Sequence, residues 1–164
     1  MKKILIVFLF IIGISFQLEN KTIKMVDNVK FQKEINRFKE RKAKLDTILT
    51  VISHIETRND STKFNPDENA AGLLQIRPIM VKEVNQILGY KKYSLKDRWS
   101  KQKSIEMFII YQNFINPEYD EELAARYWNG GRSGDVKQTT DRYVDLYYKY
   151  KEVIYDNSCL IAKK

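Results

Sequence analysis

Apolar residues recur along most of this chain at intervals of three and four, the spacing that lines one face of an α-helix. Phe31, Ile35 and Phe38 stand at that spacing among Lys, Glu and Arg, which predicts an exposed amphipathic helix. Leu45, Ile48, Leu49, Ile52 and Ile55 mark a second, better patterned helix running toward Thr57. The stretch from Asn59 to Ala71 is rich in Asn, Asp, Ser and Pro and reads as a loop. Pro78, followed by Val81, Val84, Ile87 and Leu88, predicts a helix entered through a proline and stopped at Gly89. Tyr90 to Lys96 connects it to a long helix carrying Trp99, Ile105, Phe108, Ile109, Gln112 and Ile115, which Pro117 ends. A short helical piece from Leu123 to Trp128 stops at Gly130 and Gly131. Tyr143, Leu146, Tyr147, Tyr150, Val153 and Ile154 fit a last helix. No strand alternation, internal repeat or low-complexity tract stands out, so the expectation is a mainly α fold in a single domain over residues 28–156.

The ends read differently. Lys2 and Lys3 precede an apolar run from Ile4 to Ile12, and Gly13 and Ser15 follow, the layout of a secretory signal peptide over residues 1–15. The run is shorter than the roughly 20 residues of a spanning helix, which favours cleavage after Ser15 over a retained anchor. An exported protein, periplasmic or extracellular and associated with the cell wall, is expected, with membrane association only if the segment stays uncut. Residues 16–27 read as a linker and residues 157–164 as a tail.

Composition narrows the chemistry. Cys159 is the sole cysteine and His54 the sole histidine. An intramolecular disulfide is excluded, and a Cys/His nucleophile pair or a zinc site is poorly supplied. No metal and no cofactor are expected. The formal charge is +8, or +6 without Lys2 and Lys3, which allows an anionic partner without naming one. Nucleic acid is disfavoured by the export signal and by the lack of a basic stripe on one helix, despite Tyr90-Lys91-Lys92-Tyr93.

Leu45, Leu49, Ile52 and Glu56 stand at i, i+4, i+7 and i+11, so on a helix Glu56 shares the face that the aliphatic residues bury. Lost hydration disfavours the ionised carboxyl and raises its pKa, which a general acid near neutral pH requires. Periodicity alone favours a solvated carboxylate at a frayed helix end, and it is the neighbouring motifs that point the other way. In Ala71-Gly72-Leu73-Leu74-Gln75-Ile76-Arg77-Pro78, Gln75 can donate and accept hydrogen bonds, which suits an N-acetylated sugar, or it is an ordinary loop amide. In Ala124-Ala125-Arg126-Tyr127-Trp128-Asn129-Gly130-Gly131, the two rings can stack on sugars and Asn129 can fix polar groups, or the rings are simply core.

The order of these segments resembles the soluble lytic transglycosylase family, a lysozyme-like group that cuts peptidoglycan glycan strands. Glu56-Thr57 looks like the family's Glu-Ser, and Gly72-Leu73-Leu74-Gln75 with Pro78 like its Gly-Leu-Met-Gln-x-x-Pro. Trp128-Asn129-Gly130-Gly131 is similar to Tyr-Asn-x-Gly, and Thr140-Asp141-Arg142-Tyr143-Val144 to the late Thr-x-x-Tyr-Val. The likeness covers about Leu45 to Tyr150. It implies a lysozyme-like fold, a monomer, peptidoglycan strands as partner, Glu56 as acid/base, and Thr57, Leu74, Gln75, Trp128, Asn129 and Tyr143 as substrate-binding residues. Cleavage of the MurNAc-GlcNAc β-1,4 bond with 1,6-anhydromuramic acid ends is the implied reaction. Departures are Thr57 for Ser, Leu74 for Met, Trp128 for Tyr, and a shorter segment from Asn65 to Ala71. Two other readings stay open: a goose-type hydrolytic lysozyme, with Asp60 or Asp67 as the second carboxylate, and a non-catalytic wall-binding or assembly protein.

Overall fold

A computed structural model describes the backbone of residues 2–161 and the side chains of residues 29–155. The signal segment and linker expected over residues 1–27 and the tail with Cys159 lie outside the residues described with side chains. Two compact units are present, residues 1–40 and residues 41–164. The two helical patterns around Phe31 and Leu45 fall within one helix, α1 (Lys2–Thr57). The intervening Lys39-Glu40-Arg41-Lys42-Ala43-Lys44 holds only good helix formers and no glycine or proline, so nothing ends the helix there. In the first unit Val29, Phe31 and Phe38 are exposed and Ile35 is half-buried.

The second unit is mainly α, as the periodicity predicts. After α1 come α2 (Pro78–Leu88), α3 (Lys101–Ile115), α4 (Glu121–Gly130) and α5 (Asp141–Ile161). Local chemistry sets these bounds. Pro78 opens α2, and Gly89, at φ +76°, closes it with its N–H bonded to the Gln86 carbonyl. Ser100 caps α3 by accepting from the Lys103 N–H, and α3 ends at Asn116, ahead of Pro117. Asp120 caps α4 through the Leu123 N–H, with Glu121 and Glu122 in the first turn where the helix dipole favours them. Trp99 is not on the long helix: it closes a separate 3-10 turn, Leu95–Trp99, because Ser100 is extended and starts α3 afresh.

One hydrophobic core gathers Ile48, Val51 and Ile52 from α1, Val84 from α2, Met107, Phe108 and Tyr111 from α3, Ala124, Ala125 and Trp128 from α4, and Val144 and Tyr147 from α5. The loop expected from Asn59 to Ala71 contains an antiparallel hairpin. Its strands β1 (Phe64–Asn65) and β2 (Ala70–Ala71) pair Phe64 with Ala71 and Asn65 with Ala70. Each has two residues, too few to display alternation in a sequence. Among the described residues no helix is long and apolar enough to cross a membrane.

Arg98 holds the hairpin in place. Its buried guanidinium donates to the carbonyls of Asn69 (2.5 Å) and Ile76 (3.2 Å) through Nη1 and to Leu95 (2.9 Å) through Nε. Gly72 lies directly under this arrangement at φ +78°, where an added Cβ would stand 1.9 Å from the Arg98 carbonyl oxygen. Only glycine combines that backbone angle with that approach.

Candidate active site

The last turn of α1, the hairpin, the loop before α2, the end of α4 and the first turn of α5 enclose a cavity of about 300 Å³. Glu56, Gln75, Trp128, Asn129 and Tyr143 all line it, although they are spread over 87 positions of the chain. The apolar stripe of α1 turns Glu56 inward, and the Tyr143 hydroxyl donates a hydrogen bond to its Oε1 at 2.6 Å. Burial pushes the Glu56 carboxyl up from an ordinary 4.5 to about 7. The Tyr143 bond opposes that rise, the charge of Glu68 reinforces it, and Arg77 and the Trp128 side chain oppose it more weakly. Burial, and then the neighbouring Glu56, hold the Tyr143 phenol well above its usual range, so the tyrosine acts as a donor and stays protonated. A carboxyl poised near neutrality, with a fixed donor on one oxygen, can give a proton and take one back.

Gln75 sits at φ +47°, a backbone angle uncommon outside glycine, and its Nε2 donates to the carbonyls of Lys63 (3.2 Å) and Gly72 (3.0 Å). Both acceptors are carbonyls, so the amide orientation is fixed by its partners. The sequence allows Gln75 to donate and accept; in the fold its donors are taken up by the loop, and its oxygen is left to accept from a ligand. Asn129, at the end of α4, is exposed and lines the cavity. Trp128 is only 7% exposed, with its ring set edge-on against Phe108 at 4.8 Å and Tyr111 at 6.3 Å. It forms a wall of the cavity rather than an open stacking platform, and Tyr127 does not line the cavity.

Two residues named from the sequence as substrate-binding, Thr57 and Leu74, do not line the cavity. Leu74 is fully buried in the core, because consecutive residues of the loop point in different directions and Gln75, not Leu74, turns toward the site. The buried Thr57 hydroxyl lies 2.9 Å from the Leu73 carbonyl and 3.2 Å from that of Ser53, so it ties α1 to the loop carrying Gln75. Asp60 and Asp67, the candidates for a second carboxylate, do not line the cavity either. Asp60 accepts from the Thr62 hydroxyl (2.7 Å) and N–H (2.9 Å), which hold its carboxyl below the usual range. Asp67 belongs to the hairpin turn, where its N–H bonds the Asn65 side chain.

Asn65, Glu68, Ile76, Arg77 and Met80 complete the lining and were not singled out by sequence reasoning. Arg77 lies within the Gly72 to Pro78 segment, so its place beside Gln75 was a usable signal. Glu68 comes from the turn Pro66 to Asn69 and carries no periodic mark. Among the described residues no group of three or more His, Cys, Asp or Glu could hold a metal ion. No protein-family model matches the chain, and no curated protein matches it.

Proposed function

We propose that this protein is a lytic transglycosylase that cuts the MurNAc-GlcNAc β-1,4 bond of peptidoglycan strands. The observation that carries the reading is Glu56, a carboxyl raised to about 7 inside a cavity and bonded by Tyr143 at 2.6 Å. Glu56 first gives its proton to the glycosidic oxygen, and the bond to the anomeric carbon breaks as charge builds on the sugar. The resulting carboxylate then takes the proton of the same sugar's 6-hydroxyl while that oxygen closes on the anomeric carbon. Glu56 ends protonated, no water is consumed, and the product is a 1,6-anhydro end. One group serves as acid and then base because its pKa lies near the working pH. Tyr143 stabilises the carboxylate between the two steps. The Gln75 oxygen supports acceptance from an amide or hydroxyl of the sugar, and Asn129 supplies both polarities.

Glu68 favours a second reading, hydrolysis, because it is a second carboxylate lining the same cavity. In an inverting hydrolase such a group removes a proton from water attacking the anomeric carbon. Mass spectrometry of muropeptides released by the purified protein separates the two. Anhydro ends are expected from transglycosylation, and reducing ends, heavier by one water, would transfer the reading to hydrolysis with Glu68 as the base. Absence of any release, with Glu56→Gln equally inert, would overturn both.

A further inference from the structure

Among the residues lining the cavity Arg77 is the one cation, and its guanidinium makes no hydrogen bond or ion pair with the described residues. Of the two acids lining the cavity, Glu56 is held by Tyr143 and Glu68 lies on the exposed hairpin turn. Arg77 is half-buried and leaves the chain from a rigid point. Its backbone is extended at φ −81°, ψ 155°, Pro78 follows, and its carbonyl accepts from the Met80 N–H at 3.0 Å and the Val81 N–H at 3.4 Å. A positioned guanidinium at the wall of a site, attracted by Glu56 but hydrogen-bonded to none of the described residues, presents its donors to a ligand in the cavity. Its planar fork matches a carboxylate in two parallel hydrogen bonds.

Resting on the glycan-cleavage reading above, we infer that Arg77 selects glycans bearing a carboxylate on the sugar bound in this cavity. Two sources share that chemistry: the lactyl carboxyl of a muramic acid freed of its peptide, and a carboxyl of an attached stem peptide. Glu68 also borders the cavity and its charge opposes such a ligand, so what favours a carboxylate here is the direct two-pronged hydrogen bonding of the guanidinium rather than the net charge of the site.

The test compares kcat/KM on three substrates: denuded strands with free lactyl carboxyls, intact peptidoglycan, and a neutral N-acetylglucosamine oligomer. Arg77→Gln should lower turnover of a carboxylate-bearing substrate roughly 10–100-fold more than that of the neutral oligomer, whose own change reads the effect of the lost charge on Glu56. Arg77→Lys, which keeps the charge but not the fork, should fall between. The arm that suffers more, denuded or intact, identifies the source of the carboxylate. Conversion of the carboxyls to methyl amides, on denuded and on intact strands separately, should remove the advantage of whichever substrate carries the recognised carboxylate, which tests the inference without any variant. Equal losses on charged and neutral substrates, or undiminished turnover of both denuded and intact strands after amidation, would overturn the role of Arg77 while leaving glycan cleavage standing. Failure of the unmodified enzyme on all three would remove the glycan reading, and this inference with it.

Discussion

Replacing Glu56 with Gln should stabilise the fold by an amount that depends on pH in a defined way. A carboxyl whose pKa rises from 4.5 in the unfolded chain to about 7 in the fold holds its proton more tightly when folded, so its ionisation opposes folding. Below about pH 4 both states carry the proton and the acid costs nothing. Between about 4.5 and 7 the unfolded chain releases the proton while the fold retains it, and stability declines. Above that window the loss is constant at about 3 kcal/mol. Gln keeps the shape and still accepts from the Tyr143 hydroxyl, but it carries no charge at any pH. The variant should therefore match the wild type at pH 4 and exceed it by about 3 kcal/mol at pH 8, or roughly 10 °C in Tm for a folded unit of this size. Urea unfolding of both proteins at half-unit intervals from pH 4 to 8, followed by circular dichroism, gives the difference curve. Titrating groups remote from Glu56 and common to both proteins cancel in that difference. A gap that is flat with pH, or one that shrinks as pH rises, would refute the account of Glu56 as a buried, proton-retaining acid.

Tyr143→Phe removes the donor to Glu56 Oε1, so the Glu56 pKa should rise above about 7; a side-chain carboxyl NMR titration reads the shift, and the alkaline limb of any pH–rate profile should move the same way. Gly72→Ala places a Cβ against the Arg98 carbonyl at a positive φ and should cost roughly 2–4 kcal/mol in urea unfolding. Arg98→Met keeps the bulk but removes the guanidinium's bonds to the carbonyls of Asn69, Ile76 and Leu95; a loss of about 3 kcal/mol is expected, with faster amide exchange at Ala71 and Ile76, whose N–H groups bond each other's carbonyls.

Helical period and helix punctuation were the legible parts of this sequence. Pro78 and Gly89 bound α2 as their backbone preferences dictate, and the stripe Leu45, Leu49, Ile52 correctly turned Glu56 inward. The break expected between Phe38 and Leu45 does not occur, since a lapse of apolar period is no obstacle to a run of good helix formers. Hairpin residues were not legible, because strands of two residues have no period and the direction of Glu68 depends on the turn's dihedral angles. Short motifs name neighbours together, but the fold separates them: Gln75 faces the cavity while Leu74, adjacent to it, is fully buried. Arg98 left no local mark, since its acceptors lie up to 29 positions away.

The Thr57 hydroxyl bond to the Leu73 carbonyl joins the helix end that carries the acid to the loop that carries the amide, bypassing the residues between them. Those residues, including the hairpin, form a side excursion whose length does not set the spacing of Glu56 and Gln75. The rim can therefore vary independently of the floor: lengthening the turn from Pro66 to Asn69 would redraw the reach of Glu68 and the width of the entrance while Glu56 and Gln75 stay in register. A chain built this way can change what it admits without rebuilding what it does.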